Sequence, residues 1–434
     1  MTHSKGLSVV ADNALPRKNI SQCFKRQIMI TQAMKKILVI TSTFPRWQND
    51  NEPPFVYELS QRLAQKNTVH ILAPHTEGAA LTEKLGPLQV TRFRYFFQKY
   101  QTLAYKGGIL ANLKQNRWRY LLLPWFIIAE FFALVRLLRR ETFDIIHAHW
   151  LVPQGLITIV ACWFIKKPPI ILCTSHGGDL FALRGELFKK LKQFVLSRTT
   201  AITVVSQAMR ETAISLGADS NKIQVIPMGV NLKTQFIPPA TVQHEKSLLF
   251  VGRLVEKKGL HFLLEALPLI VKKHPSVNLT IVGKGSDEYQ LKQQVLELGL
   301  KKQVKFLGAV ENHQLPRLYQ SAKVVIFPSI VASDGDREGF GLVLVEALGC
   351  ECAVVATDLP AMQDILTDNE TGLIVPQKNA MALANKVNEL LDNPALHLHL
   401  GKQGRKYVLE RYDWDIITKR YDMLMENILR DGTN

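Results

Sequence analysis

Residues 324–350 read VVIFPSIVASDGDREGFGLVLVEALGC. Val324 to Phe327 is an apolar run of strand type and length. Pro328 and Ser329 stop it. A polar loop holding Asp334, Asp336, Arg337 and Glu338 follows, then Gly339-Phe340-Gly341, then LVLVEALG, which has helix length and a helical apolar face. The first N–H groups of a helix have no internal partner, and the helix dipole favours negative charge there, so strand, glycine loop and helix start form an anion site. Glu338 stands before that start and Glu346 inside the helix. Carboxylates do not bind phosphate, but they accept charge-assisted hydrogen bonds from sugar hydroxyls. Amides for a phosphate and carboxylates for hydroxyls suit a sugar nucleotide. The ordinary reading of two such glutamates is a solvated loop and an exposed helix face. The order strand, acid, glycines, helix, acid favours the site.

Upstream, the strand SLLFVG from Ser247 ends at Gly252-Arg253, and LVEKKG leads into a helix from Leu260. Arg253 and Lys258, at a strand end and just before a helix, can neutralise a diphosphate; alone they would read as solvated cations. Lys257 is expected to point elsewhere. A strand from Leu279 to Val282 ends in Gly283-Lys284-Gly285, a weak phosphate signal strengthened by its place, and Val304 to Val310 forms another strand. Ala353–Ala356 and Gly372–Pro376 complete the alternation, and Tyr412-Asp413-Trp414 opens a last helix.

The first half shows the same alternation: strands at Ile37–Thr41, Thr68–Ala73, Ile145–Ala148, Ile170–Cys173 and Thr203–Val205, with helices between them. This predicts an α/β protein with parallel sheets, whose ligands meet the carboxyl ends of strands. The loop from Ser42 to Pro54 should therefore face a cleft. So should His176, which follows a strand beside Gly177-Gly178. Asp179 reads either as a contact to a sugar hydroxyl or as an N-cap. His147 and His149 share a strand face, but no third ligand follows at suitable spacing, and a metal is rejected.

The 434 residues favour two or three domains, and 47% hydrophobic with 21% charged residues fit a globular chain. Of five cysteines only Cys350 and Cys352 are close, a poor zinc signal without a second cluster, and the set reads as reduced thiols of a cytosolic enzyme. The net charge of +17 is uneven: residues 1–240 hold 31 Lys+Arg and 13 Asp+Glu (+18), and residues 241–434 hold 23 and 24 (−1). A basic half attracts phosphate groups, anionic lipid or nucleic acid. The aromatic-basic stretch 92–119 could stack on bases, but no nucleic-acid-binding motif accompanies it, so nucleic acid is not expected and an acceptor-side loop fits better. Tyr120 to Arg140 is strongly apolar but interrupted by Pro124, Glu130 and Arg136, so it should not span a membrane. It reads as a core helix or as one lying in the membrane interface. Residues 1–33 lack a signal-peptide core and a sustained period, and are expected to be a disordered or non-native extension before Met34.

The pair Glu338 and Glu346, with seven residues between them, resembles the E-x7-E motif of the retaining glycosyltransferases of family 4, and HAHWLVPQG (147–155) resembles a segment common in that family. The resemblance runs from Met34 to the C-terminus. It implies a GT-B fold of two Rossmann-like domains facing a cleft. The expected division is an acceptor domain 34–240, a nucleotide-sugar domain 241–411, and a helix 412–434 crossing back to the first domain. By resemblance, Arg253 and Lys258 hold the donor diphosphate, and Glu338 and His176 contact the donor sugar. Glu346 grips the ribose, and the backbone of Phe340, Gly341, Leu342 and Val343 meets the phosphate. Gly252, Gly283, Lys284 and Val310 line the donor site, with Val310 near base and ribose. Family members often carry two glycines where this chain has Pro53-Pro54.

The implied reaction is retaining and metal-independent transfer from a UDP- or GDP-sugar, with no cofactor. The expected acceptor is a saccharide, carried on polyprenyl diphosphate or another lipid, in surface-polysaccharide or lipopolysaccharide synthesis. The expected place is the cytoplasm, peripherally on the inner face of the membrane. The rivals are a sugar-nucleotide epimerase or hydrolase of the same fold, and a non-enzymatic basic membrane or nucleic-acid binder.

Overall fold

The computed structural model describes residues 34–432 apart from 49, 51–53, 106 and 240–246. The expectation for residues 1–33, and Pro53 of the proline pair, fall outside the described residues.

Two sheets organise the chain. The first contains β1 (Lys36–Ile40), β2 (Thr68–Pro74), β3 (Thr82–Leu85), β4 (Leu88–Phe93), β5 (Ile145–His149), β6 (Ile170–Ser175), β7 (Ala201–Val204) and β8 (Ile223–Val225). Their order is β3-β4-β2-β1-β5-β6-β7-β8, parallel except for the β3–β4 pair. The second contains β9 (Ser247–Val251), β10 (Asn278–Val282), β11 (Val304–Gly308), β12 (Val324–Phe327), β13 (Ala353–Thr357) and β14 (Leu373–Val375), in the order β11-β10-β9-β12-β13-β14, all parallel. Each sheet reverses its strand order once, between β1 and β5 and between β9 and β12. The loops after those strands open into the crevice where doubly wound sheets take ligands.

Period-two burial explains how each sheet is covered on both faces. Ile37 and Val39 of β1 enter one core, while Leu38 and Ile40 enter another. Likewise Leu248 and Phe250 of β9 face away from Leu249 and Val251. The core shared by Leu38, Leu249, Phe340 and Tyr412 is continuous from the first sheet to the second.

The helices α1 (Phe55–Leu63), α2 (Leu122–Arg140), α3 (Leu342–Gly349), α4 (Pro394–Tyr412) and α5 (Trp414–Asp431) matter most here. Asp413 caps α5 by accepting from Asp415 N–H at 3.1 Å. Trp414, Ile417, Leu424 and Met425 of α5 then pack with Ile37, Val39 and Val56 of the first sheet and α1. The helix thus leaves the second sheet and covers the first.

Several local expectations change. The hairpin β3–β4 was not expected, and a strand expected at Thr203–Val205 lies at Ala201–Val204. The stretch after Phe93, expected to be a loop, contains a short helix, Ile109–Gln115. The α2 segment is at once a core helix and an exposed one. Leu122, Phe126, Glu130 and Leu134 are buried, while Trp125, Ile128 and Phe132 are exposed. With its preceding turn it forms a helix, Arg117–Arg140, whose most apolar 18-residue window has a mean hydropathy of 2.1, enough by length and composition to cross a membrane, and 39% of that window is buried, as in a core helix.

Candidate functional site

The turn after β9 is built by close backbone contact. Gly252 N–H donates to Val282 O at 3.0 Å and Gly283 N–H to Gly308 O at 2.8 Å, which fixes three strand ends side by side. Gly283 (φ +134°) has no room for a side chain, because a Cβ would lie 1.9 Å from Gly252 O. Residues 255–259 then bring Lys257 and Lys258 against the loop after β12, where Ile330 N–H donates to Lys257 O at 2.8 Å.

On that loop Glu338 accepts from Lys258 Nζ, in an ion pair largely shielded from solvent. Burial alone would raise the Glu338 carboxyl. The ammonium groups of Lys258 and Lys257, the Lys258 hydrogen bond and the Arg253 guanidinium prevail and hold it at about 2. Arg253 is exposed at the same strand end, where its carbonyl accepts from Val255 N–H at 3.0 Å. Lys257 is buried and, as expected from sequence, points elsewhere than Lys258. It pairs with Asp336 Oδ2 at 3.1 Å and donates to Arg337 O at 3.3 Å, and so holds the acidic loop and adds to the field on Glu338.

Helix α3 begins beside this pair. Gly341 (φ +100°) supplies its left-handed cap, and Phe340 packs its ring on Tyr412 with centroids 5.5 Å apart. The first turn of α3 at Leu342 and Val343 therefore has N–H groups without intrahelical partners. Glu346 is buried in the same helix, and Tyr319 O–H donates to its Oε2 at 2.9 Å. Burial pushes its carboxyl up to about 7, against the Tyr319 hydrogen bond. Lys284 is exposed and Val310 half-buried on the same side of β10 and β11.

The first domain reaches this loop through Gly177. A Cβ on Gly339 would lie 3.1 Å from both Gly177 Cα and His176 O, so the two glycines let the backbones of the two domains touch. The carbonyl of His176 thereby abuts Gly339, the residue after Glu338. The His176 Nε2 shares a hydrogen bond with His149 Nδ1 at 2.9 Å, and Phe55 and Trp150 lie 4.8 Å and 5.1 Å from the His176 ring. Burial holds His147 and His176 down at about 3 and His149 well below its ordinary value, so all three rings are neutral at neutral pH. His149, set aside in the sequence with a rejected metal, is the direct partner of His176. Its place at the end of β5, beside β6, was the signal available.

Asp179 follows Gly178 on the same loop as His176. It is buried, and its oxygens accept from Leu151 N–H at 2.7 Å, Ser175 O–H at 2.9 Å and His176 N–H at 3.3 Å. These bonds brace the His176 loop. A cavity of about 240 Å³ at the domain junction is lined by Gln207, Phe340, Asp364, Arg411, Tyr412 and Arg420. It lies behind Phe340 and touches none of Arg253, Lys258, Glu338 or His176.

The buried carboxyls set a pH dependence of stability. Glu130 is pushed up to about 8 by burial, opposed by the Gln154 amide, and Glu346 to about 7. A carboxyl whose pKa is higher folded than unfolded stabilises below its unfolded pKa, and that contribution is lost as pH rises through the folded value. The depressed histidines act oppositely, but their contribution is complete above about pH 6.5. The melting temperature is therefore expected to fall between about pH 7 and 8.5. Glu130→Gln, neutral at every pH, should flatten the decline; an unchanged slope in thermal melts would contradict a protonated Glu130.

Two family models match the chain: Glycosyltransferase Family 4 over residues 54–234 and Glycosyl transferases group 1 over residues 233–407. A phosphatidyl-myo-inositol mannosyltransferase from Mycobacterium leprae is 32% identical over 298 residues, covering 67% of this chain and 75% of that protein. An uncharacterized glycosyltransferase from Methanocaldococcus jannaschii is 29% identical, covering 70% of this chain and 82% of that protein. Among solved structures, a sucrose-phosphate synthase from Thermosynechococcus elongatus superposes with a TM-score of 0.75 at 22% identity, covering 92% of this chain and all of that one. Anabaena HepE, solved with UDP and glucose, superposes at 0.68 with 17% identity, covering 91% and 100%.

Proposed function

We propose, for a chain that belongs to glycosyltransferase family 4 and has the GT-B fold, that the cleft binds a nucleotide-diphosphate sugar and passes the sugar, with retention of configuration, to a lipid-linked saccharide. The observation that carries this reading is the convergence of Arg253, the Lys258–Glu338 pair and the start of α3 at adjacent strand ends. Cations and amides there suit a diphosphate, and a carboxylate kept ionised by its lysine suits the hydroxyls of the attached sugar. The UDP and glucose bound by HepE, and the lipid in the name of the mannosyltransferase, support donor class and acceptor class respectively.

As the bond from sugar carbon to phosphate oxygen breaks, negative charge grows on the leaving diphosphate. Arg253, Lys258 and the α3 amides stabilise it, in the role a metal ion plays elsewhere. The departing phosphate oxygen takes the proton of the acceptor hydroxyl, which attacks from the same face. Glu338 holds donor hydroxyls, Glu346 the ribose, and His176, neutral and held by His149, meets the sugar from the first domain. The basic first half faces the acceptor at the inner surface of the cytoplasmic membrane.

Thermal shifts against UDP- and GDP-sugars test the donor. A bound donor at about 100 times its Kd is expected to add about 2.7 kcal/mol of stability. NMR of the product should then show the donor's anomeric configuration. The absence of a shift with every sugar nucleotide would contradict the reading.

A further inference from the structure

The outer face of α2 carries an apolar stripe that no other part of the described chain covers. Leu121, Trp125, Ile128 and Phe132 follow one another at helical spacing and are 73%, 55%, 47% and 65% exposed. The stripe one residue further round, Leu122, Phe126, Glu130 and Leu134, is buried on the sheet. The exposed stripe does not end at Phe132. It continues as Arg136, Arg139 and Arg140, all exposed. Aromatic contacts widen it on both sides. Phe96 lies 6.5 Å from Trp125 and 5.2 Å from Phe97, which is 75% exposed. Phe131 joins Phe132, at 5.3 Å, to Phe164, at 5.6 Å. A continuous exposed apolar surface of this kind marks an interaction site.

We infer that this face inserts into an anionic bilayer, with Leu121, Trp125, Ile128 and Phe132 below the headgroups and the Arg136–Arg140 end at phosphate level. Three features favour lipid over protein. An apolar face rich in Trp and Phe that runs into a basic helix end is the pattern of a helix lying in the membrane interface. The half of the chain that bears it carries +18, from 31 Lys+Arg and 13 Asp+Glu, which matches an anionic surface. Pairing with a second copy of the chain would instead bring two such halves together.

The face is also joined to the cleft. Just ahead of it, Lys114 Nζ meets Asp334 Oδ2 at 2.8 Å, on the loop that carries Glu338. An acceptor anchored in the same bilayer would reach the cleft mouth without leaving the lipid. This last point rests on the proposed transfer to a lipid-linked acceptor; the docking itself does not.

Flotation of the full chain with vesicles tests the inference, using phosphatidylcholine alone and with about 30% phosphatidylglycerol. The wild type is expected to float with the anionic vesicles and not with the neutral ones. The variant Trp125→Ser/Ile128→Ser/Phe132→Ser, altered only at exposed positions, is expected to lose about 100-fold in partitioning. Arg136→Glu/Arg139→Glu/Arg140→Glu should lose about as much. Both variants should keep the wild-type thermal shift with a sugar nucleotide. Wild-type protein that stays unbound at about 0.1 M salt would overturn the inference. So would variants that float like wild type, or a wild-type dimer that the serine variant converts to a monomer without any vesicle binding. A wild type that floats yet shows no shift with any sugar nucleotide would leave the docking face standing and remove the donor reading.

Discussion

Replacing Lys258 by Ala is expected to lower turnover by about two to three powers of ten, and the double variant with Arg253→Ala by at least as much. The ammonium has three donors, and one of them goes to Glu338. The other two have no partner among the described residues and can meet a diphosphate arriving between β9 and α3. Charge on that diphosphate grows only as the glycosidic bond breaks, so the loss should fall on kcat more than on KM. Removing Lys258 also strips Glu338 of the main charge that keeps it ionised. Part of any lost stability therefore comes from an uncompensated carboxylate. Lys258→Ala/Glu338→Gln separates the two effects. It should recover the melting temperature and not the turnover. Steady-state kinetics showing a fully active double variant of Arg253 and Lys258 would remove both residues from the site.

Gly259→Ala is expected to be nearly as damaging without touching any charged group. Gly259 sits at φ +62°, and a Cβ there would lie 1.9 Å from Pro328 O. The left-handed backbone costs an ordinary residue about 1–2 kcal/mol. Forcing the turn away from the end of β12 adds about 1–3 kcal/mol. The Lys258 turn and the loop carrying Glu338 are held together at this contact, through Gly259 and the Ile330–Lys257 hydrogen bond. A displacement of about 1 Å there should cost about 100-fold in turnover. Denaturant melts and kinetics on the same sample would check both parts. A variant with wild-type stability and rate would show that the close contact is not needed.

The parts of this fold most legible in the sequence were those with a short-range signature. The run Val324 to Phe327, its proline stop and the glycines before Leu342 each have a local physical meaning, and the structure has a strand, a loop and a helix there. The same holds for β9 and the helix from Leu260. The hairpin strand Thr82–Leu85, TEKL, has no apolar alternation; Gly86-Pro87 marks the turn after it, but only pairing with β4 makes it a strand. Asp179 could not be placed because its partners include Leu151, 28 residues earlier, which a distant turn brings to it. Tyr319, the partner of Glu346, gives no local sign of that role. The α2 segment is apolar nearly all round, so the sequence could not say which face the sheet would cover. Tertiary packing made that choice, and it left Trp125 and Phe132 outside.

The most direct test of the donor site is a crystal structure of the protein with a bound sugar nucleotide. The diphosphate is predicted to lie within hydrogen-bonding distance of Arg253 and Lys258 and of the backbone N–H groups between Phe340 and Val343, with Glu338 on the sugar hydroxyls. A diphosphate bound away from Arg253 and the first turn of α3 would contradict it.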